Sequence, residues 1–382
     1  MNNKAEYSSR PIGFVSNSAW YIYIHRWDAI QFLINQGYNI LIIAPEDRAV
    51  PAFRHPSVTF IPLAFSNKSL NVFSAVKLYY SLKKLYNLYQ PACLFHYAIK
   101  ANTFGNFAAN SAGIPCVSVI IGTGYSFSKT GWLIRVATFL YRRSLRLAEE
   151  IWFMNKEDGA LFLQHKLVDP SKMLALRGEG INTGYYDPAL FTAKQFKTGF
   201  SFITATRFLY SKGLATMAKS IKMLKDKGFD FQFLLVGAPD KHHPDSIPEA
   251  VITQWAKQCI YTVIPFSDDV RPWLAKADCF ILPSFYNEGL PRCLMEAASM
   301  QLPIITTFQQ GCKDAIIDGE TGFFSRTGDA DDLALQMQNM LQMDAQKREK
   351  LGVTGRKYMQ ETFSHEIIFP HYLRVVKKIT TD

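Results

Sequence analysis

The stretch NEGLPRCLMEAAS sets two glutamates, Glu288 and Glu296, around a proline that opens a helical pattern. Paired carboxylates can exchange a proton as acid and base, or they can accept hydrogen bonds from the hydroxyls of a sugar. Glu288 precedes the helix and Glu296 lies more than a turn inside it, so the two cannot share one task. Pro291 suits the first helical position, which leaves the amides of Gly289, Leu290 and Arg292 near a helix start where an anion can dock. Gly289 has no Cβ and allows close approach to the backbone. A second stretch, TATRFLYSKGL, puts Arg207 at a strand exit and Lys212 just before another helix. A guanidinium fork, a mobile ammonium and free helix amides together suit a diphosphate. Carboxylates beside a phosphate site then point to a ligand with both hydroxyls and phosphates, such as a sugar nucleotide. Each residue also has an ordinary reading: Arg207 and Lys212 as solvated charges, Glu288 as a helix-dipole partner, Glu296 as a surface carboxylate. Against the last, MEAASM surrounds Glu296 with apolar and small residues, so its carboxylate needs a polar neighbour.

Elements must hold these loops. Short β-branched and aromatic runs alternate with helical patterns along almost the whole chain, as in parallel βα units. The pattern predicts strands at 12–16, 39–44, 58–62, 93–97, 116–120 and 151–154, then at 201–206, 231–236, 261–265, 279–283 and 303–307. Helices are expected at 214–227, 269–277, 291–300 and 331–343. GEGINTGYYDPALFTAKQFKTG, rich in Gly and polar residues, reads as a linker between two similar halves. The expected fold is α/β: two Rossmann-like, doubly wound domains across a cleft, 1–190 and 191–360, followed by a helix over 361–382 that packs back on the first domain. Ligands of such sheets bind beyond the carboxyl ends of the strands, and the motifs above follow strands.

Composition sets outer bounds. The chain has 382 residues, 48% of them hydrophobic, with a net charge of +10, so a full core and an anionic partner are both expected. Cys93, Cys116, Cys259, Cys279, Cys293 and Cys312 form no CxxC pair and read as reduced, mostly buried thiols. His242 and His243 lack companions at metal-ligand spacing, so no metal site is expected. The polar start MNNKAEYSSRPIG predicts no signal peptide, and no run is long enough for a membrane-spanning helix. No nucleic-acid-binding module is present in the pattern, so nucleic acid is not an expected partner.

These motifs together resemble the family 4 retaining glycosyltransferases of the GT-B fold. The likeness rests on TRFLYSKG, LLVGAPD, the E-x7-E block at Glu288 and Glu296, GCKDAIIDGETGFF and, in the first half, HYAIKANTFGNFAANSAGIPCVSVIIGTGYSF. It implies that Arg207 and Lys212 hold the donor diphosphate, Glu296 the ribose hydroxyls and Glu288 the transferred sugar. Gly289, Leu290 and Pro291 would lie beside the phosphates, and Gly237 and Phe266 beside the nucleobase. UDP is preferred to GDP on family frequency. The resemblance also implies retention of configuration, no cofactor and no bound metal, with cations stabilising the departing nucleotide.

Relatives that build lipid-linked oligosaccharides, O-antigen or capsule look similar in the first half. Lys100, Asn102, Thr123 and Gly124 are the expected acceptor-side residues, although Ala101 departs from a usual proline. His96 has two readings, a catalytic polar group or a satisfied structural histidine. The segment SKTGWLIRVATFLYRRSLRLAEE and the stretch LKKLYNLY combine aromatic and basic residues, as a membrane-surface helix does, or as a core helix with a basic outer face does. The resulting expectation is a cytoplasmic enzyme, peripheral on an anionic membrane, that receives a lipid-linked saccharide acceptor. A soluble or other lipid acceptor, a sugar-nucleotide epimerase and a non-catalytic nucleotide binder are the alternatives. An NAD enzyme would need GxGxxG after the first strand, which GFVSNSAWY lacks.

Overall fold

A computed structural model describes residues 10–63, 72–122, 132–191, 199–240, 243–258, 262–286 and 289–381. The chain divides into two compact units, Met1–Glu179 with Glu366–Asp382, and Gly180–His365.

The first unit holds β1 (Ile12–Val15), β2 (Ile40–Ala44), β3 (Val58–Pro62), β4 (Cys93–Tyr97), β5 (Cys116–Ile120), β6 (Glu150–Phe153) and β7 (Met173–Ala175). All pair in parallel, in the order β3-β2-β1-β4-β5-β6-β7. Helices α1 (Ala19–Asn35), α2 (Val72–Tyr89), α3 (Asn106–Ser111), α4 (Trp132–Leu145) and α5 (Lys156–Gln164) connect them. The central strands read as unbroken apolar runs because a parallel sheet is covered on both faces, and every residue of β1, β2, β4 and β5 is buried. Ser18 caps α1 by accepting from the Tyr21 amide.

The second unit holds β8 (Phe200–Ala205), β9 (Phe231–Val236), β10 (Thr262–Ile264), β11 (Cys279–Leu282), β12 (Ile304–Thr307) and β13 (Gly322–Ser325), ordered β10-β9-β8-β11-β12-β13 and again all parallel. Its helices are α6 (Leu214–Asp226), α7 (Glu249–Lys257), α8 (Arg271–Leu274), α9 (Arg292–Ser299), α10 (Ala330–Gln342) and α11 (Ala345–Thr362). The last helix, α12 (His365–Thr381), supplies Phe369, Tyr372, Val375 and Val376 to the core of the first unit. There Tyr372 packs against Phe95 at 5.1 Å and Trp152 at 4.8 Å, and Arg374 forms a bidentate pair with Glu150, both bonds 2.7 Å.

Three expectations need adjustment. The first unit ends at Glu179 rather than 190, and the second ends at His365 rather than 360. The supposed linker is ordered structure over 180–191: Ile181 is fully buried and bridges Ser364, and Arg356 donates to the carbonyls of Thr183, Tyr186 and Ser299. Pro291 is the N-cap of α9, extended at φ −62° and ψ 124°, and the helix begins at Arg292.

The junction residue Glu179 is anchored in the first unit. It accepts from Tyr21 at 2.7 Å and pairs with Arg26 at 2.7 Å and His25 at 2.5 Å. Burial alone would raise its carboxyl, but Arg26 and His25 hold it well below the usual carboxylate range.

Candidate functional site

In each sheet the chain reverses its winding beside the first strand, between β1 and β4 and between β8 and β11. Backbone diverges above the strand ends at such a point and leaves a crevice. Lys100 and Asn102 lie at the first of these points, and the loop with Arg207 and Lys212 at the second.

In the second unit, β8 exits into Thr206 and Arg207, and β11 exits into Pro283–Tyr286. The two loops are stitched together. The Phe285 amide donates to the Ser211 carbonyl at 2.9 Å, and the Ser284 hydroxyl donates to the same oxygen at 3.3 Å. Gly213 caps α6 in the left-handed region, φ 77°, where a Cβ would stand 2.1 Å from the Pro283 oxygen. Asp245 completes the arrangement by accepting from the Ser211 amide at 2.8 Å.

Lys212 sits in this junction, 5% exposed, with its ammonium 5.9 Å from the Tyr286 ring centroid. Arg207 is half exposed and pairs with Asp240 at 3.0 Å. An exposed pair of that kind is worth under about 1 kcal/mol, so the guanidinium can turn to a stronger anion at little cost. Gly237, at the exit of β9, has φ 143°, and a Cβ there would lie 2.0 Å from the Thr206 oxygen, so only glycine lets the two exits run side by side. Phe266 follows β10 and is 53% exposed.

Glu296 lies on α9 with its Oε1 held by two donors, the Tyr186 hydroxyl at 2.7 Å and the Arg292 Nε at 3.0 Å. Burial and the adjacent Glu296 carboxylate push the Tyr186 hydroxyl above its ordinary range, so it remains a donor at any physiological pH. The polar neighbour that the MEAASM context requires is therefore Tyr186, with Arg292 beside it. Tyr186, Arg292 and Asp240 were not singled out from the sequence; only the Arg292 to Glu296 spacing, one helical turn, signalled a pair. Gly289 and Leu290 lead into the Pro291 cap, and Leu290 packs on the core beneath. Glu288 lies outside the described residues, as do Thr123 and Gly124.

In the first unit the equivalent point holds a cavity of about 310 Å³, lined by Asn17, Ala98, Lys100, Asn102, Gly122 and Tyr141 among others. Its floor is unusual backbone. Ala98 adopts φ 71°, and Ala101–Gly105 forms a π-helical turn. Both conformations carry strain that is common where a fold builds a site. Asn102 is buried, donates to the Val119 carbonyl at 3.1 Å, and has its Oδ1 without a hydrogen-bond partner among the described residues. Partial burial lowers the Lys100 ammonium from its ordinary value.

His96 does not join this cavity. It lies within β4, fully buried, with Nε2 2.9 Å from the Tyr86 hydroxyl and Nδ1 2.6 Å from Asn106 Oδ1. Burial pushes its pKa down to about 4. The ring is a neutral core member, and a Cβ on Gly105 would meet it at 2.8 Å, so the catalytic reading of His96 is corrected to the structural one. Among the described residues no group of three or more His, Cys, Asp or Glu could hold a metal ion, and no helix is long and apolar enough to cross a membrane.

Two family models match the chain, one described as glycosyl transferase 4-like over residues 12–155 and one as glycosyl transferases group 1 over 199–343. Together they span both units.

The chain is a glycosyltransferase of this family.

The glycosyltransferase is 26% identical over 382 residues to the N,N'-diacetylbacillosaminyl-diphospho-undecaprenol alpha-1,3-N-acetylgalactosaminyltransferase of Campylobacter jejuni, covering 96% of this chain and 98% of that one. It is 24% identical to the UDP-Gal:alpha-D-GlcNAc-diphosphoundecaprenol alpha-1,3-galactosyltransferase of Escherichia coli, over 79% of each chain. Among solved structures, Anabaena HepE in complex with UDP superposes with a TM-score of 0.78 at 16% identity, covering 96% of this chain and 100% of that one. That likeness shows the fold, GT-B.

Proposed function

We propose that the enzyme moves a hexose or N-acetylhexosamine from a UDP-sugar to a saccharide carried on undecaprenyl diphosphate, in assembly of a surface polysaccharide or glycan. The observation that supports this reading is the bonding of the loop that carries Arg207 and Lys212, through the Ser211 carbonyl, to the β11 loop, which leads on to α9 and Glu296, on a chain alike from end to end to the Campylobacter enzyme. The names of both relatives print an undecaprenol-linked diphosphate, one of them prints UDP-Gal, and HepE holds UDP.

In this reading Arg207 and Lys212 bind the donor diphosphate. Glu296, oriented by Tyr186 and Arg292, accepts from the ribose hydroxyls, and Glu288 contacts the transferred sugar. The Gly289–Pro291 backbone lies along the phosphates, with Gly237 and Phe266 at the uracil. The acceptor hydroxyl is received by Lys100, Asn102, Thr123 and Gly124.

The bond from the anomeric carbon to the phosphate oxygen breaks, the acceptor oxygen bonds to that carbon, and the hydroxyl proton passes to the departing phosphate. Attack on the same face as departure retains configuration. Charge builds on the leaving diphosphate, so the cations act most strongly at the transition state and no metal is needed.

The enzyme works at the inner face of the cytoplasmic membrane, where Arg135, Arg143 and Arg146, exposed on or just beyond α4, meet anionic lipid headgroups. The test is incubation with UDP- and GDP-sugars and an undecaprenyl-diphosphate saccharide, with product configuration read by NMR and EDTA added in parallel. Transfer from a UDP-sugar with retention, unchanged by EDTA, is the expected result. Transfer only to free sugars, or complete loss with EDTA, would overturn the reading.

A further inference from the structure

The loop after β10 reaches solvent, with Pro265, Phe266 and Asp268 exposed. Arg271, at the start of the four-residue helix α8, closes a fork on Asp269 within this loop, with its Nε 2.8 Å and a terminal nitrogen 2.7 Å from the two carboxylate oxygens. The same carboxylate accepts from the Arg271 amide at 3.0 Å, and the Ser267 hydroxyl donates to the Asp269 carbonyl at 2.7 Å. A guanidinium suits this place because its fork matches a carboxylate while its flat faces stay available for a ring.

The ring is that of Tyr185, 86 positions earlier in the chain. Its centroid lies 3.4 Å from the guanidinium carbon, and the other terminal nitrogen donates to the Tyr185 carbonyl at 3.1 Å. The next residue, Tyr186, donates to Glu296. Arg356 holds the other side of this segment: it donates to the carbonyls of Thr183 and Tyr186, pairs with Asp187 at 3.2 Å and reaches the Ser299 carbonyl at the end of α9. The two arginines therefore have different tasks. Arg356 sets Tyr186 against the helix that carries Glu296, and Arg271 sets the β10 loop against the residue beside Tyr186.

We propose that Arg271 is a positioning residue for nucleobase recognition: it holds the loop that bears Phe266 in a fixed place relative to Glu296, so that base and ribose are read together. The inference rests on the donor site of the proposed function, with Phe266 at the uracil and Glu296 at the ribose. Asp269 neutralises the Arg271 charge, whereas Arg207 and Lys212 lie on the β8 loop and serve the diphosphate. Arg271 thus acts on the nucleoside end of the donor, and it does so through the loop.

The experiment measures Kd for UDP and for inorganic pyrophosphate by titration calorimetry on the full chain. Arg271→Ala is expected to weaken UDP about tenfold and to leave pyrophosphate unchanged. Arg271→Lys keeps the charge but loses the fork and the stack, so it should lose as much. Adding Phe266→Ala to Arg271→Ala should cost little more, because both act on one contact. Asp269→Asn opens the fork from the other side and is expected to reproduce the loss, including where the alanine variant does not fold. Full UDP affinity in Arg271→Lys assigns the effect to charge and overturns the proposal, as does an equal loss for pyrophosphate. Additive losses with Phe266→Ala overturn it too. Unchanged UDP binding in Arg271→Ala, alongside losses in Phe266→Ala and Glu296→Ala, sinks this inference alone. Unchanged binding in both of those last two variants overturns the proposed donor site itself.

Discussion

The two switch points have the same topology and opposite chemistry. Above β8 and β11 the loops are bound to each other by backbone contacts, a glycine wedge at Gly213 and the Asp245 carboxylate, and they carry a buried cation at Lys212. Above β1 and β4 the floor is strained backbone at Ala98 and a π-turn, with neutral Asn102 and a partly buried Lys100. Topology decides where a ligand can sit, and the loops decide which. A fixed diphosphate rewards a rigid cationic cradle. An acceptor that differs between enzymes rewards a cavity whose walls can be exchanged.

The largest expected effect tests the rigid side. Lys212→Ala removes a buried positive charge from the proposed diphosphate site and should lower kcat about 100- to 1,000-fold. A loss near that of Lys100→Ala would erase the distinction between the two switch points. Lys100→Ala should reduce acceptor kcat/KM several-fold, on the order of 1 kcal/mol, and leave donor hydrolysis intact.

His96 sharpens the contrast between functional and structural groups. Its folded pKa, about 4, lies below the unfolded value, so the unfolded chain binds the extra proton. Stability is therefore full above pH 6.5 and falls as the pH drops from about 6.5 to 4, by about 3 kcal/mol in total. Thermal melts across that range should show the slope, and His96→Gln should flatten it without altering the pH profile of kcat.

A smaller effect is expected at Tyr186→Phe, which removes one of the two donors on Glu296 Oε1. The bond is already made without ligand, so its loss loosens Glu296 rather than removing a ligand contact, and UDP affinity should fall only about threefold, measured by titration calorimetry. Asp240→Asn should be nearly silent, within about 0.5 kcal/mol, because its partner Arg207 is half exposed. A large loss there would mean that the pair is part of the cradle.

The positions of most strands were legible because parallel strands are buried on both faces and read as short apolar runs. The edge strands β7, MLA, and β13, GFFS, were not, since three or four residues carry no periodicity. The cations were legible because their chemistry is local: a strand, a loop and a helix start in one stretch. Tyr186 was not. Its role depends on a contact 110 positions away, and its own neighbourhood of Gly, Asn and Asp resembled a linker. His96 kept two readings, catalytic and structural, for a related reason. A histidine near the end of a strand can serve as an exit residue or pack inward, and the Asn106 and Tyr86 partners that decide it lie on helices the strand does not announce.

Helix α12 has a consequence for synthesis. The aromatic stack of Phe95, Trp152 and Tyr372 is closed by residues translated after the whole second unit. The first unit must wait on the ribosome with its sheet face bare while the second unit has already left the exit tunnel, and a chaperone has that interval in which to act.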